Sequence, residues 1–191
     1  RVTLTDGNSQ MLVASYNGKV VRFPEDTVRP MGRTATGVRA IKLDEDGKDR
    51  VIGMICVEQG SKDSVLVISE KGFGKRTLLD DENGEPIYRI TNRGGKGVKT
   101  MNITDKTGNL IGLEAVNDDM DLMLITKAGT AIRMAMDAIS VLGRATQGVK
   151  LIELQKRNDT LMFGCTVPKE EQEEVAESEE VTTEETTTTE E

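Results

Sequence analysis

The sequence predicts an all-β, propeller-like fold of four-stranded blades: a partial ring of about three blade equivalents, followed by a disordered acidic tail. Three observations predict it. A phrase made of an apolar β-branched run, a glycine turn, a second run and a Gly-bounded basic loop recurs three times. The hairpin glycines of these copies, Gly18, Gly72 and Gly129, lie 54 and 57 positions apart, close to the roughly 40 to 50 residues of known propeller blades. From Lys169 onward the apolar pattern stops.

Along the chain, Arg1 to Leu4 reads as the end of a strand, so the sequence is expected to be a piece of a longer polypeptide. Met11 to Ser15 and Val20 to Arg22 flank Asn17-Gly18, a strong tight-turn signal because glycine takes the positive φ that joins right-twisted strands. Val65 to Ser69 with Phe73 to Thr77, and Leu122 to Thr126 with Thr130 to Arg133, form the corresponding hairpins around Gly72 and Gly129. Further strands are expected at Val38–Leu43, Val51–Val57, Val98–Ile103, Leu110–Val116, Val149–Leu154 and Thr160–Val167. Polar turns such as Asp44-Glu45-Asp46-Gly47-Lys48 and Thr104-Asp105-Lys106-Thr107-Gly108 separate them. Two full blades follow, about 38–77 and 98–134, with a half blade at each end of a 1–167 domain. The 168–191 segment is a Glu/Thr tract, which cannot bury enough apolar surface to offset its ordering entropy and is expected to be disordered.

Charge divides the same way. The chain carries a net −8, but Lys169 to Glu191 contains eleven Glu and one Lys, leaving residues 1–168 with 24 basic and 22 acidic residues. A mildly basic body is compatible with a polyanion partner, and the acidic tail is expected to compete weakly for that surface. The absence of His removes imidazole-dependent catalysis, and the absence of Trp removes a common base-stacking ring. Cys56 and Cys165 sit in apolar runs and read as small core residues of a reducing compartment, with a disulfide left open. No stretch approaches the roughly 18 to 20 apolar residues of a bilayer span, so no membrane contact is expected.

The chemistry lies in the loops. Each repeat places a Gly-bounded, Arg-containing loop before a Gly-Val strand start: Gly32 to Gly37, Arg93 to Gly97 and Gly143 to Gly148. Lys and Arg release counterions on meeting phosphates, and glycines let backbone N–H groups approach them closely. If blades stack side by side, Arg29, Arg33, Arg39, Arg76, Arg89, Arg93, Lys96, Lys99, Arg133, Arg144 and Lys150 form a discontinuous basic track, with Gly94, Gly95 and Gly97 around Lys96 as its most phosphate-like loop. Such a track reads shape and charge, not sequence. The plainer reading of any single cation is a solvated loop charge; repetition at equivalent positions weakens it.

The phrases Gly72-Phe73-Gly74-Lys75-Arg76-Thr77 and Val141-Leu142-Gly143-Arg144-Ala145-Thr146-Gln147-Gly148-Val149, with the acidic tail, resemble the C-terminal domain of the bacterial DNA gyrase A subunit over nearly all of residues 1–168. The resemblance implies a β-pinwheel whose blades exchange strands and whose basic rim wraps double-stranded DNA, supporting negative supercoiling by an ATP-dependent type II topoisomerase. It implies, for the whole enzyme, the B subunit together with the rest of the A subunit in an A2B2 complex, ATP and Mg²⁺, and a bacterial cytoplasmic, nucleoid-associated location. Thr91-Asn92-Arg93-Gly94-Gly95-Lys96-Gly97 matches the last five positions of the family's Q-R-R-G-G-K-G box, a secondary copy if the principal box lies upstream. No catalytic residue is expected here: Tyr16 and Tyr88 sit in hairpin or loop context.

Asp44-Glu45-Asp46-Gly47 and Asp80 to Glu85 lack the twelve-residue ligand spacing of Ca²⁺ loops and read as acidic turns. Gly72 to Thr77 lacks Walker spacing. Two other readings stay open: the C-terminal domain of the topoisomerase IV A subunit, and a propeller-like protein-interaction scaffold with incidental rim charge. An independent enzyme is disfavoured, because no nucleophile, base or metal-ligand set clusters in the sequence.

Overall fold

A computed structural model of the chain describes residues 1–45, 47–154 and 158–169. Nearly all of the expected acidic tail lies outside the described residues. Among the described residues eleven strands form the body: β1 (Gln10–Ser15), β2 (Lys19–Pro24), β3 (Val51–Val57), β4 (Ser64–Ser69), β5 (Phe73–Leu78), β6 (Val98–Lys99), β7 (Leu110–Val116), β8 (Met120–Thr126), β9 (Ala131–Ala135), β10 (Val149–Lys150) and β11 (Leu161–Pro168). Two single 3₁₀ turns, Glu25–Thr27 and Met136–Ala138, follow β2 and β9.

Each hairpin closes by the same local chemistry. The N–H groups of Gly18, Gly72 and Gly129 donate to the carbonyls of Ser15, Ser69 and Thr126 at 3.0, 3.1 and 3.0 Å. Their φ angles are +80°, +81° and +86°. This is a three-residue loop in which glycine takes the left-handed third position, where a Cβ would be strained.

The strands assemble into three antiparallel sheets of order β3-β1-β2-β6, β10-β5-β4-β7 and β11-β8-β9. The blade limits 38–77 and 98–134 follow the chain, whereas hydrogen bonding follows the sheets. Each sheet begins with a hairpin and takes a third strand from the end of the same repeat. The fourth strand of the first two sheets comes from the connector of the next repeat: Val98 and Lys99 pair with Val20 and Lys19, and Val149 and Lys150 with Gly74 and Phe73. A contiguous stretch such as 38–77 is therefore divided between sheets. The connectors also form shorter ladders than expected. Only two residues each of 98–103 and 149–154 pair in strands, and 38–43 contributes a single bridge, Ile41 to Gly95. The connectors then turn to pack beneath a hairpin, Ile103 under Gly18 and Ile152 under Gly72.

Period-2 alternation explains why the central strands read as unbroken apolar runs. In β1, Leu12 and Ala14 face one core and Met11 and Val13 another; in β4, Val65 and Val67 join the first of these, while Leu66 and Ile68 face the third sheet. Full burial of a Leu or Ile side chain contributes about 1.5–3 kcal/mol, and Leu12, Leu66, Ile68, Leu122 and Leu124 are all wholly buried. The connectors complete these cores: Tyr88 and Met101 lie between the first and second sheets, Met136, Ile139 and Leu154 between the second and third.

Candidate nucleic-acid interface

The second and third Gly-bounded loops are held in register by their last glycine. Gly97 and Gly148 adopt φ of +73° and +81°, and a Cβ on either would sit 2.6 and 2.7 Å from the carbonyl oxygens of Val20 and Gly74. These glycines are therefore required by close docking of one repeat on the previous hairpin.

Each later loop is also joined to the residues that flank the loop before it. Gly94 N–H donates to Ala40 at 2.6 Å, Lys42 N–H to Gly95 at 2.8 Å, and Arg93 Nε to the Thr27 carbonyl at 3.1 Å. These bonds tie the 92–97 loop to the 27–42 segment. One repeat later, Asn102 N–H donates to Thr146 at 3.0 Å, Arg144 Nη1 to the Lys99 carbonyl at 2.7 Å and Gln147 Nε2 to Thr104 Oγ1 at 3.2 Å. Through these flanking segments the loops follow one another in series over the three repeats. Along it Arg29, Arg33, Arg39, Lys96, Lys99 and Lys150 are exposed, and Arg93 and Arg144 are half-buried by their backbone bonds. Lys150 is paired with Glu153 at 2.5 Å. Arg89 is exposed too, and with Asn92, Gly95, Lys96 and Gly97 it lines a shallow depression of about 280 Å³.

Arg76 is not part of this run. It is 8% exposed, its Nε donates to the Ile139 carbonyl at 2.9 Å, and Nη1 pairs with Asp118. Arg22, at the equivalent place in the first repeat, is 5% exposed and donates to Gln10 Oε1, Asp80 and the carbonyls of Leu79 and Tyr88. Both are struts that bind a hairpin to the following connector. Arg133, their third-repeat equivalent, pairs with Asp121 at 2.7 Å and donates to the Pro168 carbonyl at 2.9 Å.

One residue that matters to the interface escapes the sequence reading. Lys75 is wholly buried, and its Nζ donates to the carbonyls of Gly143 and Arg144 at 2.5 and 2.6 Å, clamping the third basic loop from beneath. Burial, reinforced by the Arg144 charge, pushes its ammonium down from 10.5 to about 8. The available signal is comparative: the equivalent positions are the apolar Val21 and Ile132.

The two tyrosines are structural. Tyr16 donates to Glu70 Oε2 at 2.9 Å beneath the Arg50 guanidinium, and burial raises its phenol above the usual range. Tyr88 is wholly buried against Thr100, 2.7 Å away, and burial raises it likewise. Cys56 and Cys165 are free thiols. Asp49 accepts from Asn17 N–H and Asp44 N–H, and Asp81 from Asn83 and Glu85 N–H, as turn-forming carboxylates do. Among the described residues no group of three or more His, Cys, Asp or Glu is placed to hold a metal, and no helix is long and apolar enough to cross a membrane.

Residues 10–58, 63–117 and 121–163 match the family described as the DNA gyrase C-terminal domain, beta-propeller. The three matched segments coincide with the three repeats. The DNA gyrase A subunit of Staphylococcus aureus strains MRSA252 and NCTC 8325 is 46% identical over 153 residues, 80% of this chain and 16% of either relative. The chain therefore spans about a sixth of the length of those proteins. Among solved structures, the C-terminal domain of DNA topoisomerase IV superimposes with a TM-score of 0.77 at 20% identity, over 88% of this chain and 49% of that one. A DNA gyrase A C-terminal domain does so with a TM-score of 0.71 at 24% identity, over 83% and 50%.

Proposed function

The chain belongs to the DNA gyrase C-terminal domain, beta-propeller family, and from that premise we propose that it binds duplex DNA along its joined loops and bends it around the rim without reading sequence. One observation carries the reading: the basic loop of each later repeat is hydrogen-bonded to the segment flanking the loop before it, and Arg33, Arg39, Lys96, Lys99 and Lys150 are exposed along this series. A row of cations held on successive sheets releases counterions at each phosphate it meets. On this reading it also favours DNA that bends to follow the row, the logic of recognition by backbone and deformability. The wrapping motif resembled by Arg93 to Gly97 lies in the middle of the run, with Gly94 and Gly95 held by the first repeat's connector.

In the whole protein, such wrapping would present a crossed DNA segment to a strand-passage core and so support negative supercoiling by an ATP-dependent type II topoisomerase. The cutting tyrosine, the ATP and Mg²⁺ sites and the B subunit of an A2B2 assembly are assigned to parts of the complex outside this chain, which on this reading is a DNA-binding module and not itself an enzyme. The location that goes with this role is the bacterial cytoplasm, on the nucleoid. The topoisomerase IV likeness, at 20% identity, bears on the fold; the 46% identity to the gyrase A subunit favours a gyrase parent.

The test is binding to short and long duplex DNA across a salt series, for the chain and for an Arg93→Ala/Lys96→Ala variant. A steep salt slope, tighter binding to long DNA and weakening in the variant are expected. Flat, weak binding indifferent to the variant would instead favour a protein-interaction scaffold.

A further inference from the structure

The third basic loop rests on a polar floor, and the second does not. Two side chains of β5 reach three consecutive carbonyls of the third loop. Thr77 Oγ1 donates to the Leu142 carbonyl at 2.9 Å, and Lys75 Nζ donates to those of Gly143 and Arg144 at 2.5 and 2.6 Å. Lys75 is 0% exposed and Thr77 1%. By the same hairpin register, the β2 residues in these places are Val21 and Phe23, which have no side-chain donor to offer the 92–97 loop.

Three carbonyls held inward decide where the neighbouring N–H groups go. In a trans peptide the C=O and the N–H of the following residue point in opposite directions, and these peptides are trans. The N–H groups of Gly143, Arg144 and Ala145 are therefore turned away from Lys75 and Thr77, and they donate to no acceptor among the described residues. Gly143 and Ala145 are exposed. Thr146 closes the turn, its N–H and Oγ1 donating to the Gly143 carbonyl at 3.2 and 2.8 Å. In the second loop the matching N–H, that of Gly94, is taken up by the Ala40 carbonyl. A neighbouring repeat docked on this face leaves such a turn open: the bonds of the third loop to the second repeat fall on Lys99, Asn102 and Thr104, beyond residues 92–95.

Successive N–H groups facing outward from a turn form an anion-binding arrangement. The ammonium beneath strengthens it twice, by placing positive charge under the turn and by polarising the peptide units whose N–H groups face out. Lys75 titrates at about 8 and so carries its charge at neutral pH. On the premise of DNA binding, we propose that the 143–145 turn seats one phosphate of duplex DNA on the N–H groups of Gly143, Arg144 and Ala145, with Lys75 and Thr77 as the positioning residues that hold those groups outward. The seat belongs to the third loop and not to the second, whose glycines look the more phosphate-like in sequence.

The experiment follows backbone amide shifts of the isotope-labelled full chain at neutral pH and low salt, titrated with a short DNA duplex and separately with inorganic phosphate. The amides of Gly143, Arg144 and Ala145 are expected to move downfield with the duplex, and with phosphate only at far higher concentration. In Lys75→Met, and in the milder Thr77→Val, these responses are expected to shrink while the Lys96 and Lys99 amides still respond. A second measurement compares duplex affinity of Arg144→Pro and Arg144→Ala. Both lose the guanidinium, but only proline also removes the N–H, at the second position of a turn, where its ring fits. Arg144→Pro is expected to bind about tenfold more weakly than Arg144→Ala, the worth of one hydrogen bond to a charged group. Equal affinity of the two Arg144 variants, duplex binding that leaves the three amides unmoved, or responses unchanged in both Lys75→Met and Thr77→Val would overturn the seat and leave the DNA-binding reading standing. A response to phosphate without one to the duplex would overturn its assignment to DNA, and a chain that binds no duplex at all would overturn both readings.

Discussion

Replacing Lys75 by Met gives a sign-specific prediction about the third basic loop. The Lys75 ammonium is wholly buried, bonded to the Gly143 and Arg144 carbonyls, and titrates at about 8 instead of 10.5. Below pH 8 both the folded and the unfolded chain hold this proton, so the group adds no pH dependence. Between pH 8 and 10.5 the unfolded chain binds a proton that the folded chain has given up, and stability must rise with pH. The gap corresponds to about 3 kcal/mol in all, at about 1.4 kcal/mol per pH unit. Near neutral pH the substitution relieves this burial cost but leaves two carbonyls without a donor, at about 1–3 kcal/mol each, so the two effects largely offset. The assay is urea unfolding of the chain and of Lys75→Met at half-unit steps from pH 7 to 10.5, taking the difference in unfolding free energy at each pH. Titrations common to both proteins, including Tyr16 and Tyr88, cancel. The difference is expected to be level up to about pH 8 and then to climb in favour of the native chain. A level or falling difference throughout would refute the assignment of Lys75 as a buried, charged clamp.

Gly97→Ala is expected to destabilise the fold by about 2 kcal/mol, since it adds strain at positive φ to a 2.6 Å collision with the Val20 carbonyl; an unchanged denaturation midpoint would contradict the docking role. Arg22→Met is expected to cost about 3 kcal/mol of stability by stranding the Leu79 and Tyr88 carbonyls and Asp80, readable in guanidinium unfolding. Arg33→Ala with Arg39→Ala leaves the midpoint within about 0.5 kcal/mol because both are exposed. The same pair lowers the salt slope of DNA binding by roughly 0.9 for each phosphate no longer neutralised, and a slope identical to that of the native chain would remove these arginines from the interface.

How much of this was legible depends on whether the cause was local. The hairpins were readable because an apolar alternating run and a positive-φ glycine sit within a dozen residues of each other, at Leu12 to Val21 as at Val65 to Phe73. The exchanged strands were not: Val98-Lys99 is a strand only because β2, some eighty residues earlier, offers it an edge, and nothing within 98–103 marks where pairing stops. The loops were found through their repeated glycines, although two of those glycines answer to a neighbouring carbonyl at 2.6–2.7 Å. Arg76 and Arg144 look alike as repeated basic residues. Their fates differ because Arg76 lies within a strand whose side chains are buried on both faces, whereas Arg144 lies on a loop, and composition cannot express that difference. Arg22 and Lys75 were missed for the same reason, as long cations read as surface until partners from another repeat appear.

The wrapping claim itself is tested most directly by sealing nicked circular DNA with ligase at low salt in the presence of increasing amounts of the chain. If the joined loops curve the duplex around the rim, the sealed circles shift in linking number relative to DNA closed alone. That shift is expected to shrink with Arg93→Ala/Lys96→Ala and to vanish at high salt. An unshifted distribution with the DNA fully bound would show a basic surface that holds DNA without bending it, and would contradict the proposal.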